Sequence, residues 1–242
     1  MRYWGITDPG CVRSQNQDTY IIERIGMHSL LCVVCDGMGG AKSGNVASSI
    51  AAEIFAREVG EKFRNNMTME QVERLLQTAV GRANRAVYEK AGESPDFEGM
   101  GTTLTAVLVY KRQVLAVNVG DSRIYRVDDS ITQVTEDHSL VQMMLRQGEI
   151  SREQARNYPG RNYITRAIGT DRQVDCDIFH MELERGNCLL LCSDGLSNLV
   201  DPQEMLFEIR HGGKMDTCCA RLRDLVISRG APDNVTAVLV RL

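Results

Sequence analysis

The chain is 242 residues long, 43% hydrophobic and 25% charged, with a net charge of −4 at pH 7. A globule of this length buries roughly 70 to 75% of the surface its unfolded chain exposes, so a sizeable core is available, and the weakly acidic balance leaves no electrostatic footprint for nucleic acid. MRYWGITDPG lacks the basic-then-apolar order of a signal peptide, and no apolar run approaches the ~20 residues of a membrane helix, so a cytoplasmic protein with no membrane partner is expected.

In chain order, TYIIERI and LLCVVC read as strands, rich in β-branched and apolar residues. The period then changes: Val46, Ile50, Ile54 and Phe55, followed by Met69, Val72, Leu75, Leu76, Val80 and Val87, recur at three and four and predict two helices between residues 44 and 91. Thr68 followed by Gln71 reads as a capping box at the start of the second. TLTAVLVY, QVLAVNV and RIYRV return to strand character. Residues 139–171 differ, with short helical pieces behind S-x-x-Q starts at Ser139 and Ser151, and read as a semi-independent surface excursion. CLLLC and the closing VTAVLVRL are further strands, separated by a helix over about 216–229 with Asp216 as N-cap, Leu222, Leu225 and Val226 inward, and Gly230 and Pro232 ending it. Helices inserted between groups of strands argue against a doubly wound parallel sheet and for an α+β layered sandwich, with mixed sheets and helices packed outside. No linker or repeat interrupts the chain, so a single domain over 1–242 is expected.

Four apolar runs have an aspartate at one end: LLCVVCDG (Asp36), LAVNVGDS (Asp121), CLLLCSDG (Asp194) and APDNVTAVLV (Asp233). Each alone is ordinary turn chemistry. Together they are costly to desolvate, and the escapes are arginine, backbone N–H groups or a divalent cation. An all-oxygen donor set without a His pair points to Mg²⁺ or Mn²⁺.

VCDGMGGAKSG, residues 34–44, invites a phosphate-loop reading that its spacing refuses. A P-loop ending at Lys42 and Ser43 needs glycine where Ala41 and Asp36 stand, and G-x-G-x-x-G begun at Gly37 needs glycine where Lys42 stands. Lys42 and Ser43 are left as the start of a helix, and the glycines as sites of close backbone approach. The C-x-x-C of Cys32 and Cys35 lies on a strand, where residues three apart face opposite sides, so the eight cysteines are expected to be buried thiols. In CVRSQNQDTY, Arg13 and Asp18 bracket the entrance to a strand; if folding brings Arg13 beside the carboxylates, its guanidinium can take a phosphate oxygen.

With Arg13, Asn16 and Asp18 in place, followed by DGMGG, GTTLTAVLV, VGDSRIYR, DHS, ITRAIG, SDGL and DNVTAVLV, the sequence resembles the metal-dependent protein phosphatases (PPM, type 2C) in their short, bacterial-type form. The match runs in order from about Gly5 to Val240. The resemblance implies a central antiparallel β-sandwich flanked by pairs of helices, a four-layer αββα arrangement, with residues 139–171 as a mobile flap. It implies two Mn²⁺ or Mg²⁺ ions, with Asp36 bridging and the Gly37 carbonyl, Asp194 and Asp233 as further ligands. A third ion of bacterial-type members would use Asp121 with Asp194, Asp18 would hold water at the metals, and Arg13 would bind phosphate.

The expected reaction is hydrolysis of phosphoserine and phosphothreonine in phosphorylated proteins, opposing a Ser/Thr protein kinase. A hydroxide shared by two metal ions attacks phosphorus in line while Arg13 offsets charge on the transferring group. No cysteine has arginine six positions on, so the C-x₅-R loop of cysteine-based phosphatases is absent. Met38 stands where many animal and plant members of the family carry a histidine proposed as general acid, so the acid is left open between metal-bound water and, as a weak candidate, His138 in EDHS. The competing readings are a catalytically dead phosphoprotein scaffold and a narrow regulator of one phosphorylated anti-sigma-type protein.

Overall fold

Period-two alternation in the apolar runs, combined with helices that bring one greasy stripe each, decides the layering. The computed structural model describes residues 1–39, 43–156 and 158–242, with backbone alone at 152 and 156. β1 (Arg2–Asp8), β7 (Arg123–Val127), β8 (Ile131–Gln133), β10 (Cys188–Cys192) and β11 (Val235–Arg241) form one sheet in the order β1-β11-β10-β7-β8. β2 (Asp18–Gly26), β3 (Ser29–Met38), β5 (Leu104–Tyr110), β6 (Gln113–Val119) and β9 (Asp177–Glu182) form the second in that order, with the short β4 (Gly101–Thr102) paired to the end of β3.

On β3, Leu30, Cys32 and Val34 face the other sheet and pack with Val107, Val109, Leu189, Leu191 and Val238. Leu31, Val33 and Cys35 face outward, under α1 (Gly44–Lys62) and α2 (Met69–Ala91), against Ala47, Phe55, Leu76 and Ala79. On the opposite outer face Leu190, Cys192 and Leu239 lie under α6 (Pro202–Arg210) and α7 (Cys218–Ser228), against Met205, Leu222 and Val226. The result is helix, sheet, sheet, helix, with three apolar layers rather than one core. Cys32 and Cys35 thus part to opposite faces, as their spacing requires. All eight thiols are free, but Cys11 is exposed and Cys176 half-buried, so burial accounts for six.

Local signals were mostly accurate. Thr68 accepts from Gln71 N at 3.3 Å while the Gln71 side chain accepts from Thr68 N at 2.9 Å, completing the capping box. The S-x-x-Q starts cap α3 (Leu140–Gln147) and α4 (Arg152–Arg156). These helices occupy the stretch between β8 and β9. A bridge between Ser139 and Ile164 closes its base, and Asn84 of α2 pins its end by accepting from Gly169 N and donating to Asp171 O.

Two expectations need correction. The sheets are not mixed: every pairing among the described residues is antiparallel, as the family resemblance implies, and tight turns such as Met27–His28 and Lys111–Arg112 join some of the neighbouring strands directly. Asp216 is not an N-cap; it lies within a 3₁₀ turn (Met215–Thr217), and α7 begins behind Thr217, whose hydroxyl and the Lys214 carbonyl accept from Arg221. The sequence reading also missed β1, whose RYWGITD is too mixed for a strand signature yet pairs along its whole length with β11. It missed α6 despite a Pro at its start and an Asp201–Glu204 capping box. Lys42, assigned to a helix start, lies outside the described residues, whereas Ser43 immediately precedes α1. Among the described residues no helix is long and apolar enough to cross a membrane.

Candidate metal centre

Register, rather than proximity in sequence, assembles the acidic cluster. Asp18 at the start of β2 sits opposite Asp36 near the end of β3. The other sheet contributes Asp194, which opens the short α5 (Asp194–Ser197) behind β10, and Asp233, just before β11. Ser193, just after β10, and Thr236 of β11 both donate to Asp18 Oδ2, at 2.8 and 2.7 Å, and so tie the two sheets together at the site. Asn234 locks the Asp233 turn to the N-terminal loop: its Oδ1 accepts from Gln17 N, and its Nδ2 donates to the carbonyls of Pro9 and Gln15.

Asp36 is held by its own backbone. Its carbonyl accepts from Thr103 N and Thr102 Oγ1, each at 2.9 Å, and its N–H donates to Thr103 Oγ1 at 2.9 Å. Gly37 donates to the Gln17 carbonyl at 3.1 Å, and a Cβ at this position would overlap the Gly44 carbonyl, so only glycine permits the close passage of the two segments. Asp121 follows Gly120 in the turn after β6.

The electrostatics are those of an uncompensated cluster. Burial, then Asp18, Asp194, Asp121 and Asp233 in turn, raise the Asp36 carboxyl well above its ordinary range. Burial and Asp233 raise Asp194, against hydrogen bonding that includes one from Asn198 Nδ2 at 3.0 Å. Asp18 is pushed up to about 7 by burial, opposed by its two hydroxyl donors. Asp121 reaches about 7 through burial and the charges of Asp194 and Asp137. Arg13 sits at the rim and donates to Asp233 Oδ2 at 2.8 Å, a bond that raises its own pKa.

Among the described residues no three His, Cys, Asp or Glu side chains already close on one point in metal-holding geometry. Several of the carboxylates face protein donors: Asp18 hydroxyls, Asp194 an amide and Asp233 a guanidinium. Carboxylate oxygens that raise one another's pKa in a buried cleft are nonetheless the donor set a hard divalent cation requires.

His138 stands apart from a general-acid role. Its Nδ1 accepts from Gly120 N at 3.0 Å and its Nε2 lies 3.1 Å from Asp177 Oδ2, so both ring nitrogens are engaged away from the cluster. Met38 pairs with Gly101 through backbone and has no proton to give. The sequence reading missed Thr103, Ser193, Asn234 and Thr236 as positioning groups. Their signal was present, because GTT, CSDG and DNVT each place a short polar side chain beside the strand end or its aspartate.

The family model described as protein phosphatase 2C matches residues 12–224. This chain belongs to the protein phosphatase 2C family. It is 37% identical to the serine/threonine phosphatase stp of Listeria innocua, covering 97% of this chain and 93% of that protein. The crystal structure of Stp1 from Staphylococcus aureus superposes with a TM-score of 0.91 at 35% identity, over 99% of this chain and 94% of that one. The catalytic domain of the phosphatase PstP, solved in complex with two manganese ions, superposes with a TM-score of 0.85 at 33% identity, over 98% and 96% of the two chains. The two-sheet sandwich is accordingly a protein phosphatase 2C fold, and the acidic cluster lies across its two sheets.

Proposed function

We propose that this phosphatase hydrolyses phosphoserine and phosphothreonine in protein substrates, with two Mn²⁺ or Mg²⁺ ions held by Asp36, the Gly37 carbonyl, Asp194 and Asp233, and a third held by Asp121 with Asp194. The observation that carries this is the set of carboxylates forced together from both sheets, with one guanidinium, Arg13, paired to it among the described residues. Divalent cations there supply Lewis acidity, lowering the pKa of coordinated water and offsetting phosphoryl charge.

The protein's own residues do the rest. Arg13 is more than half exposed and its planar fork reaches outward, so it exchanges its rim contact with Asp233 for phosphoryl oxygens of the substrate. Asp18, aimed by Ser193 and Thr236, accepts hydrogen bonds from water at the edge of the cluster. Thr102 and Thr103 fix the carbonyl of Asp36 and thereby the direction of its side chain. Neither Met38 nor His138 supplies the proton for the departing alkoxide; water does. Phosphate leaves without a covalent phosphoenzyme.

Residues 1–242 act as one catalytic unit, with 139–171 as a flap that contacts the phosphoprotein, in the cytoplasm and opposite a Ser/Thr protein kinase. The test is hydrolysis of p-nitrophenyl phosphate and of a phosphothreonine peptide, with Mn²⁺ and with chelator, by wild type and Asp36→Asn. Activity is expected only for wild type with metal. An inactive wild type, or an Asp36→Asn protein that matches it, sinks the reading. Exchanging residues 139–171 for those of a relative is expected to change peptide preference and leave p-nitrophenyl phosphate turnover in place.

A further inference from the structure

The family motif containing His138 has no role in the chemistry above, yet its imidazole is among the most heavily committed side chains in the molecule. It grips Gly120 from both sides. The His138 N–H donates to the Gly120 carbonyl at 2.9 Å, and the Gly120 N–H donates to His138 Nδ1 at 3.0 Å. Gly120 has φ of +106°, and a Cβ there would sit 2.7 Å from Thr103 Cβ, so the residue is wedged between His138 and the threonine that holds Asp36. Asp121 is the next residue.

The ring's protonation follows from its partners. A backbone N–H only donates, so Nδ1 is bare and the proton resides on Nε2, directed at Asp177 Oδ2 at 3.1 Å; Arg166 Nη1, also 3.1 Å from Nε2, is itself a donor and makes its bond to Asp177 Oδ1 instead. Asp177 in turn accepts from Arg166 at 3.0 Å through its other oxygen. It also lies opposite Asn118 in the β6–β9 register, and Asn118 Nδ2 donates to the same Gly120 carbonyl at 3.1 Å. Burial and then the charge of Arg166 lower the His138 pKa against the raising effect of Asp177, and the net lowering keeps the ring neutral. Asp177, His138, Gly120 and Asn118 thus form a chain of bonds whose two end residues are Cα partners in the β6–β9 ladder. The His138 carbonyl accepts from Thr165 N at 2.8 Å, so the same residue bolts the returning end of the 139–171 segment to the turn.

We propose that His138, oriented by Asp177, is the positioning residue that sets the Gly120–Asp121 turn and thereby the affinity of the cation held by Asp121. This rests on the reading of Asp121 as a metal ligand. A carboxylate that aims a histidine, which in turn aims a ligand, is the usual outer layer of a metal site; here it acts through one peptide unit instead of through the ligand's own ring. The imidazole helps wall a cavity of about 450 Å³ with Glu136, Gln142, Arg146, Arg166 and Asp177, so substitutions meet open space on one side.

The test measures Mn²⁺ binding directly, by titration calorimetry on the purified full chain, alongside melting without metal. His138→Leu removes the acceptor for Gly120 N–H, and the Mn²⁺ step that depends on Asp121 is expected to weaken about 10- to 100-fold, with the other steps unchanged. His138→Asn, whose Oδ1 replaces Nδ1, is expected to restore most of that loss. Asp177→Ala, on the more exposed side of the ring, is expected to weaken the same step and serves if His138→Leu does not fold. Asp121→Asn is expected to abolish it. If Asp121→Asn binds Mn²⁺ like wild type, the ligand assignment falls and this proposal with it. If Asp121→Asn loses the step while the His138 and Asp177 variants keep it, or if those variants weaken all steps equally, the positioning role is wrong.

Discussion

Two acidic regions meet at the Gly120–Asp121 turn and are handled in opposite ways. On one side, Glu136, Asp137 and Asp177 are each met by an arginine: Arg146 at 3.4 Å, Arg123 in a fork at 2.7 to 3.1 Å, and Arg166 at 3.0 Å. On the other, Asp18, Asp36, Asp121, Asp194 and Asp233 have one ion pair among the described residues, Arg13 with Asp233. Burial pushes Asp177 up, but hydrogen bonds from His138 and Arg166 outweigh it and hold the carboxyl below its ordinary range. Burial pushes Asp36 up and its neighbours push it further. Pairing makes a carboxylate structural; crowding without pairing stores repulsion that a divalent cation relieves.

The strongest way to break this contrast is to neutralise one member of each region. Asp36→Asn is expected to lower turnover of p-nitrophenyl phosphate with Mn²⁺ by about a thousandfold or more. In chelator the same variant is expected to melt higher than wild type, because a repelling buried charge is gone. An unchanged or lower melting temperature would mean that the cluster is not strained.

The pH dependence separates the regions by sign. With Asp18 and Asp121 raised to about 7 in the fold and near 4 when unfolded, the folded state holds more protons between these values. Their contribution to the stability of the metal-free protein therefore falls as pH rises from about 4 to about 7, in the same direction as that of the raised Asp36 and Asp194. Asp177, lowered in the fold, contributes stability that is lost only as pH falls below about 4. Melting curves in chelator across this range are expected to show a shallower first slope for Asp18→Asn combined with Asp121→Asn than for wild type, with the raised Asp36 and Asp194 supplying what remains.

Asp137→Asn sharpens the comparison from the paired side. It strips the charge from the partner of Arg123, whose guanidinium is three-quarters buried, and is expected to destabilise by about 2 kcal/mol in urea unfolding. The smallest expected effect belongs to the rim: Arg13→Ala should raise KM for a phosphothreonine peptide by about 10-fold, with kcat moved less. If KM and kcat both stay put, Arg13 does not touch the phosphoryl group.

Much of the site was readable because its chemistry is punctuated locally. An apolar run followed by Asp-Gly marks a strand end with a carboxylate wherever it occurs, and Asp36 and Asp194 both carry that signature. Asp18 was harder, since nothing in QNQDTY says that its carboxylate is buried; that comes from the Asp18–Asp36 register and two hydroxyls donated across the sheets. His138 looked like a weak acid candidate because a loop histidine shows neither of its ring partners in sequence. Gly120 and Asp177 lie 18 and 39 positions away.

The sequence alone determined the period of most elements, the caps of α2, α3 and α4, the opposed faces of Cys32 and Cys35, and the glycine at position 37. These depend on φ/ψ preference and on side chains within a few residues of one another. Only the tertiary structure decided that Asp18 sits opposite Asp36 and takes hydroxyls from Ser193 and Thr236, that Arg13 reaches Asp233 and that His138 holds Gly120. Those outcomes depend on strand register and on burial, and both are set by packing between segments far apart in the chain.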